Sequence, residues 1–347
     1  MQPVEDRLDA VLSAGFPGVV VLAADAGSTW EKSAGVADLR TGAPMTTEHR
    51  FPIASVTKLF TATVVLQLVD EGAFALNGEV DSIEGGVTVR QLLNHSSGLP
   101  NFLELDELLE PLRTDRAHRS GLTPRDALAL LETKPRLSKP GEGWFYSGSN
   151  YVVLGLLVED TTGAPLREEL RRRIIEPLGL EATDLPDHPW TSPGLARGYL
   201  GADNPILPEP GTDPIDATEL DLFSWGGGGM VSTARDVARF LQALLGGELL
   251  PPALRAEMLT TVASDWPESD GYGLGIEEVT SVMEPASTCG SAWGHLGFSL
   301  GHTTVALAGE TGDRQVVVLA NASVVTEEMG AALGELTWAC YCRDGKP

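Results

Sequence analysis

A hydroxyl and an amine one helical turn apart can act as a nucleophile and its activator. This chain carries that pair at Ser55 and Lys58, in the stretch Phe51-Pro52-Ile53-Ala54-Ser55-Val56-Thr57-Lys58-Leu59-Phe60. The run continues apolar to Asp70-Glu71-Gly72, and Pro52 before its start and Gly72 at its end mark a buried helix. Ser55 at the helix N-terminus would feel the positive pole of the helix dipole, which favours an alkoxide. Lys58 would lie on the same face, where an apolar setting lets an amine lose its proton near neutral pH. Ser-x-x-Lys also arises as a plain helix cap followed by a solvated lysine. Two features argue against that here. Only five lysines occur among the 24 basic residues, so the chain uses arginine for surface charge. Lys58 has no charged neighbour before Asp70, a costly place for a decorative cation.

Two further stretches carry side chains able to move protons. Tyr146 stands in the Gly-rich turn of Pro140-Gly141-Glu142-Gly143-Trp144-Phe145-Tyr146-Ser147-Gly148-Ser149-Asn150, just before an apolar helix. A phenol held beside a lysine can pass a proton to a leaving group. His295 stands in Trp293-Gly294-His295-Leu296-Gly297-Phe298, read as leading into a strand. A lone aromatic under a loop and a lone structural histidine are the plainer readings of each.

The elements that must position these residues follow from the pattern along the chain. Asp6 to Ala14 reads as an amphipathic helix. Residues 18–24 and 29–37 read as an antiparallel hairpin. From Leu59 to Gly228 the chain is mostly helical, with helices expected at 87–93, 123–132, 150–159 and 166–175 and a long ordered loop from Asp184 to Asp221. Another helix starts at the Ser232-Thr233 cap and runs to Leu245. Strands return at 272–276, 300–307 and 315–321, and Glu327 to Cys340 closes the chain as a helix. The expected class is α+β, an antiparallel sheet built from both chain ends and flanked by helices. Residues 1–58 and 229–347 would form the sheet domain, 59–228 an inserted helical domain, with the site in the cleft between them.

The three stretches, in this order, resemble the serine β-lactamase and penicillin-recognising D,D-peptidase family, nearest its actinobacterial D-alanyl-D-alanine carboxypeptidases, class C β-lactamases and esterases. The resemblance covers nearly the whole chain. It includes Val65-Leu66-Gln67-Leu68-Val69-Asp70-Glu71-Gly72, Leu92-Leu93-Asn94-His95-Ser96-Ser97-Gly98-Leu99, Gly228-Gly229-Met230-Val231-Ser232-Thr233 and Gly271-Tyr272-Gly273-Leu274-Gly275. It implies that Ser55 is the nucleophile, Lys58 its base and Tyr146 the proton relay, with His295 where many relatives have the lysine of Lys-Thr-Gly. It implies an oxyanion hole from the backbone N–H groups of Ser55 and Phe298, with Gly297, Gly148, Asn150 and Trp225 around the substrate. His95 is read as structural. Two departures stand out: Gly148 replaces an asparagine that binds the acyl amide, with Asn150 two residues late. No Lys or Arg lies between Ala256 and Asp313, which leaves His295 to hold a substrate carboxylate unless Arg113, Arg116, Arg119 or Arg197 folds over the cleft.

The function implied is a serine hydrolase with D-alanyl-D-alanine carboxypeptidase-like acyl transfer. An esterase, a D-amino-acid amidase, a peptide-cyclising acyltransferase and a penicillin-binding sensor that acylates and stalls are the alternatives. No cofactor or metal is expected. The expected substrates are small molecules or peptides: D-amino-acid-containing peptides, amides, esters or β-lactams. A net charge of -25 argues against nucleic acid and anionic membranes as partners. No apolar run reaches the length of a membrane span, and a monomer is expected. Residues 1–6 lack the basic and apolar regions of a signal peptide, so a native Met1 implies the cytosol and a removed leader implies secretion. The three cysteines, Cys289, Cys340 and Cys342, show no metal-binding spacing and permit a disulfide from Cys289 to either of the others. The resemblance pairs Cys289 with a cysteine of the last helix, Cys340.

Overall fold

Val316-Val317-Val318-Leu319-Ala320 is apolar at every position, so the strand it forms has to be covered on both faces. The computed structural model describes residues 4–25, 27–114, 121–201, 204, 214–220, 225–266, 269–283 and 286–342. Its strands, numbered in chain order, are β1 (Gly18–Asp25), β2 (Ser28–Asp38), β3 (Ala43–Pro44), β4 (Phe51–Pro52), β5 (Tyr199–Leu200), β6 (Ile215–Asp216), β7 (Val231–Ser232), β8 (Ser269–Tyr272), β9 (Glu277–Val279), β10 (Ala292–Ser299), β11 (His302–Ala308) and β12 (Gln315–Ala320). Eight of them form one antiparallel sheet in the order β3-β2-β1-β12-β11-β10-β9-β8. The two chain ends meet at its centre, where Val19 pairs with Ala320 and Leu22 with Val317. The fold is α+β, with an antiparallel sheet assembled from both ends of the chain.

Side chains alternate across β12 as a strand requires. Val316, Val318 and Ala320 face a layer made by the first helix (Val4–Ser13) and the last (Glu327–Tyr341), with Leu8, Val11, Leu333 and Leu336. Val317 and Leu319 face the opposite way, into a core that contains the helix Thr57–Asp70 and the helix Ala234–Leu245. That second core continues without a break into the helical region, through Tyr151, Leu154, Leu166 and Leu170. Phe60 and Phe240 stack at its centre, with ring centroids 3.6 Å apart and planes 12° from parallel.

Three expectations change. Residues 272–276 do not make a strand. β8 ends at Tyr272, and Gly273-Leu274-Gly275 turns the chain into β9, with Gly275 at φ +82°, a conformation that suits glycine. Glycines that look like strand spacing are therefore turn residues. Residues 292–299 form a full strand, so His295 lies in mid-strand and not at a strand start. The disulfide runs from Cys289 to Cys342, with Cα atoms 5.5 Å apart, and not to Cys340. Cys340 is buried on the face of the last helix that packs on the sheet. Cys342 sits at the helix cap, two residues and more than half a turn further round, towards the loop of Cys289.

The Phe60–Phe240 stack joins the helix that carries Lys58 to the helix that covers the sheet. Phe240→Ala should therefore cost about 3–5 kcal/mol of unfolding free energy. Urea unfolding followed by circular dichroism checks this, with a lower midpoint and an unchanged slope expected.

Candidate active site

The site begins with a strained turn. Ile53 donates its N–H to Met230 O (2.9 Å), and Ala54 then takes φ +47°, left-handed space that non-glycine residues rarely enter. A single 3-10 turn, Ala54–Val56, leads into the helix Thr57–Asp70, which leaves Ser55 half-buried at the helix start. β10 reaches that turn only because residue 297 is glycine. A Cβ there would stand 2.5 Å from Ile53 O. Phe298, the next residue on β10, is 46 % exposed.

Lys58 is 2 % exposed. Its Nζ lies 3.0 Å from Ser55 Oγ and donates to Gly227 O at 2.7 Å. That carbonyl belongs to the short helix Trp225–Gly228, whose Gly226 O also accepts from Thr61 Oγ1 (2.7 Å). Trp225 begins the helix at φ +31°, and its ring lies where a Cβ at Gly155 would be. Burial pulls the Lys58 amine down to about 7, although the carboxylate of Glu277 works against the shift. The amine can therefore be neutral at ordinary pH and accept a proton from Ser55.

Tyr146 Oη donates to Ser55 Oγ at 2.8 Å, and Lys58 Nζ stands 4.8 Å from the centre of its ring. Burial pushes the phenol well above its usual range, with the Ser55 hydrogen bond opposing and Glu277 adding to the rise. Tyr146 thus keeps its proton and acts as a donor. Of the two groups at the serine oxygen, Lys58 is the one suited to be a base.

The remaining expected site residues fall into two groups. Gly297 packs on the Ile53-Ala54 turn, with Phe298 next on β10, and Trp225 begins the helix whose Gly227 O receives Lys58. Gly148 lies near Gly227, and its N–H donates to Asn101 Oδ1 (3.0 Å) while Leu103 fills the space a side chain would take. Asn150 does not face the substrate. It is fully buried, with Oδ1 accepting from Ser97 Oγ (2.6 Å) and Nδ2 donating to His95 Nδ1 (3.0 Å), because its helix turns that position inward. His295 is also fully buried. Nε2 meets Tyr272 Oη at 3.0 Å, and Nδ1 meets Leu296 O at 2.5 Å and Glu277 Oε1 at 3.0 Å. Both nitrogens are occupied, so the ring is not at hand for a substrate carboxylate. Arg113 pairs with Glu110 and Arg197 with Asp216; Arg116 and Arg119 lie outside the described residues.

Sequence reasoning missed Glu277, Asn101 and Trp266. Glu277 is a fully buried carboxylate, hidden in the sequence by its exposed-looking neighbour Glu278. Its alternation with Val279 was the available signal. Asn101 and Trp266 carried none. Trp266 packs over the Tyr146 ring, with centroids 4.5 Å apart. A cavity of about 550 Å³ has Phe298, Trp225, Leu122, Leu185, Arg167 and Asp187 in its wall, but not Ser55, Lys58 or Tyr146. Among the described residues no cluster of His, Cys, Asp and Glu could hold a metal ion. No helix there is long and apolar enough to cross a membrane.

Comparison with known proteins gives this geometry a context. The Beta-lactamase family pattern matches residues 4–335. The chain is 31% identical over 326 residues to Esterase EstB of Burkholderia gladioli, which covers 82% of this chain and 81% of the esterase. It is 26% identical over 331 residues to Penicillin-binding protein 4* of Bacillus subtilis, covering 92% of this chain and 71% of that protein. The structure of D-amino acid amidase from Ochrobactrum anthropi SV3 complexed with L-phenylalanine superposes with a TM-score of 0.85 at 28% identity, covering 96% of this chain and 95% of the amidase.

An enzyme that uses Lys58 as its base should lose activity as pH falls through about 7, because the protonated amine cannot accept the Ser55 proton. The acid limb of kcat/KM on a chromogenic ester reads this directly. Lys58→Arg keeps the charge but cannot deprotonate, so it should cost about 10²–10⁴-fold in kcat/KM, close to the loss in Lys58→Ala. Retention of most activity in Lys58→Arg would leave Lys58 a charge and not a base.

Proposed function

This chain belongs to the Beta-lactamase family as a serine hydrolase of the penicillin-binding fold, and from that premise we propose that it hydrolyses amides and esters without a free carboxylate next to the scissile bond. The observation that carries this reading is the engagement of both ring nitrogens of His295, buried where a carboxylate-binding cation would be needed. A carboxylate left unpaired in a cleft costs several kcal/mol. The net charge of -25 acts in the same direction, disfavouring anionic substrates and tolerating neutral or cationic ones. Amino-acid amides and esters fit both constraints, and D-amino acid amidase and Esterase EstB are the relatives whose names agree.

In the proposed reaction neutral Lys58 takes the proton of Ser55 Oγ as the oxygen attacks the substrate carbonyl. The tetrahedral oxyanion would be held by the backbone N–H groups of Ser55 and Phe298, each such donor contributing about 3 kcal/mol. Tyr146, protonated and already hydrogen-bonded to Ser55, hands its proton to the leaving amine or alcohol and recovers one from Lys58. Water then attacks the serine ester by the reverse path, with Lys58 again the base.

Acyl-D-Ala-D-Ala and its C-terminal amide, compared between pH 6 and 8, test this reading. The amide should react at least as well as the acid at pH 8, and the acid should gain nothing towards pH 6, since the His295 nitrogens are already taken. A tenfold or greater preference for the acid at pH 8 would show that a cation reaches the cleft, as in a carboxypeptidase. Ser55→Ala should abolish both turnover and labelling by a serine-directed phosphonate. Label on Ser96 or Ser147 instead would overturn the nucleophile.

A further inference from the structure

Below Tyr146 runs a chain of buried polar groups whose direction can be worked out donor by donor. The N–H of Ser147 can only donate, and it donates to His95 Nδ1 at 3.2 Å. Asn150 Nδ2 donates to the same nitrogen, its amide orientation set by Ser97 at Oδ1. Nδ1 is therefore an acceptor, and the His95 proton must sit on Nε2. Nε2–H donates to Tyr272 Oη at 3.2 Å. Tyr272 Oη is 3.0 Å from His295 Nε2. At the far end, His295 Nδ1 faces two oxygens, Leu296 O and Glu277 Oε1, so it must carry a proton. A His295 that carries only this proton accepts at Nε2 from the Tyr272 hydroxyl, which continues the direction that starts at Ser147.

The chain ends on an unusual group. Glu277 is fully buried, and among the described residues neither of its oxygens has an aligned hydrogen-bond donor. Its Oε1 lies 3.0 Å from His295 Nδ1, and a carboxylate paired in a dry interior still acts strongly on other charges nearby. Its strand pairs with both motif strands, Glu277 opposite Tyr272 on β8 and opposite Gly294 on β10. His95 holds its place at a cost, with φ +62° in left-handed space. Its ring lies 4.4 Å from that of Tyr146.

We propose that His95, Tyr272 and Glu277 are positioning residues for the hydrolytic site: the chain Ser147–His95–Tyr272–His295 holds His295 with its proton on Nδ1 against Glu277, and Glu277 is the counter-charge that sets when Lys58 can act as a base. This rests on the reading of Lys58 as the base. The ionisable groups around Lys58 are Glu277 from β9, His95 from the loop after Leu93, Tyr146 and Tyr151 from the loop and helix around residue 148, and Tyr272 and His295 from the sheet. Burial above all holds His95 well below its usual range, so it stays neutral. Burial keeps Tyr272 protonated, with Tyr151, Tyr146 and Glu277 adding to the effect. Glu277 reaches this group through His295, 3.0 Å from its Oε1, whose ring lies 6.2 Å from the Tyr146 ring that Lys58 faces, and its carboxylate opposes the lowering of the amine by burial.

Two measurements on the full chain test the proposal. Imidazole ¹⁵N shifts, assigned by single His→Gln substitutions, read the tautomers directly. Between pH 6 and 8, His95 should be neutral with its proton on Nε2, and His295 should carry a proton on Nδ1. A proton on His95 Nδ1 would overturn the chain without touching the assignment of Lys58. Second, Glu277→Gln keeps the shape and removes the charge. Without the carboxylate the Lys58 amine loses its proton more readily. The acid limb of kcat/KM should move down by about half a unit or more, raising activity at pH 6 relative to pH 8. An acid limb that stays in place in a folded Glu277→Gln protein would overturn the counter-charge, since a merely structural role lowers the rate at every pH alike. Tyr272→Phe should lower kcat about tenfold with little change in KM and free His295 from its single tautomer. An unchanged His295 signal in that variant would also overturn the chain. If Glu277→Gln does not fold, the wild-type shifts still decide the tautomers. Loss of the Lys58 reading would instead appear as an active Lys58→Arg enzyme, with the tautomers unaffected.

Discussion

A lysine side chain with almost no contact with water, 3.0 Å from a serine hydroxyl, is the constraint the rest of the molecule answers to. An ammonium ion in such a place is expensive, so it loses its proton easily, and an amine without its proton is what a serine nucleophile requires. The surroundings keep it there. Gly227 supplies a carbonyl, Tyr146 a ring and a hydroxyl to the same serine, and Glu277 a negative charge. None of these comes from the helix that carries Lys58. The base is prepared by the tertiary structure.

Close backbone approach makes that convergence feasible. β10 can lie against the Ile53-Ala54 turn only with no side chain at residue 297, and Trp225 can seat over the helix Gly148–Thr162 only because residue 155 is glycine. The first contact seats the turn before Ser55 on the sheet, and the second seats the helix that holds Gly227 on the helix after Tyr146. The core is continuous across the same boundary, from Val317 and Leu319 through Phe60 and Phe240 to Tyr151 and Leu154. The site is therefore supported on packed elements, and this limits how far Ser55, Tyr146 and Phe298 can move relative to one another.

The polar groups below the cleft add a second kind of support. Hydrogen bonds in a dry interior have direction, and one backbone N–H that can only donate orients His95, from which the proposed order through Tyr272 and His295 follows. The same chain occupies both nitrogens of His295, the feature on which the proposed preference for neutral amides and esters rests.

What the sequence determined by itself was local or periodic. The run of apolar residues around Ser55 and Lys58, the hairpin at 18–37, the apolar strand at 315–321 and the ordered set of motifs were enough for the α+β class, the sheet built from both ends and the family. Ser-x-x-Lys spacing also made the approach of Lys58 to Ser55 legible, since one helical turn decides it. The tertiary structure alone decided what depends on which way a residue faces and on what lies opposite it. Asn150 and His295 turned inward, because a helix position and a strand position each have one direction once the neighbours are packed. Glu277, one of two adjacent acids, became the buried one because a strand's faces alternate and only the sheet says which is covered. Cys342 and not Cys340 met Cys289 for the same reason, two residues being more than half a turn of helix. Spacing along the chain fixes distance within an element; the facing of that element belongs to the fold.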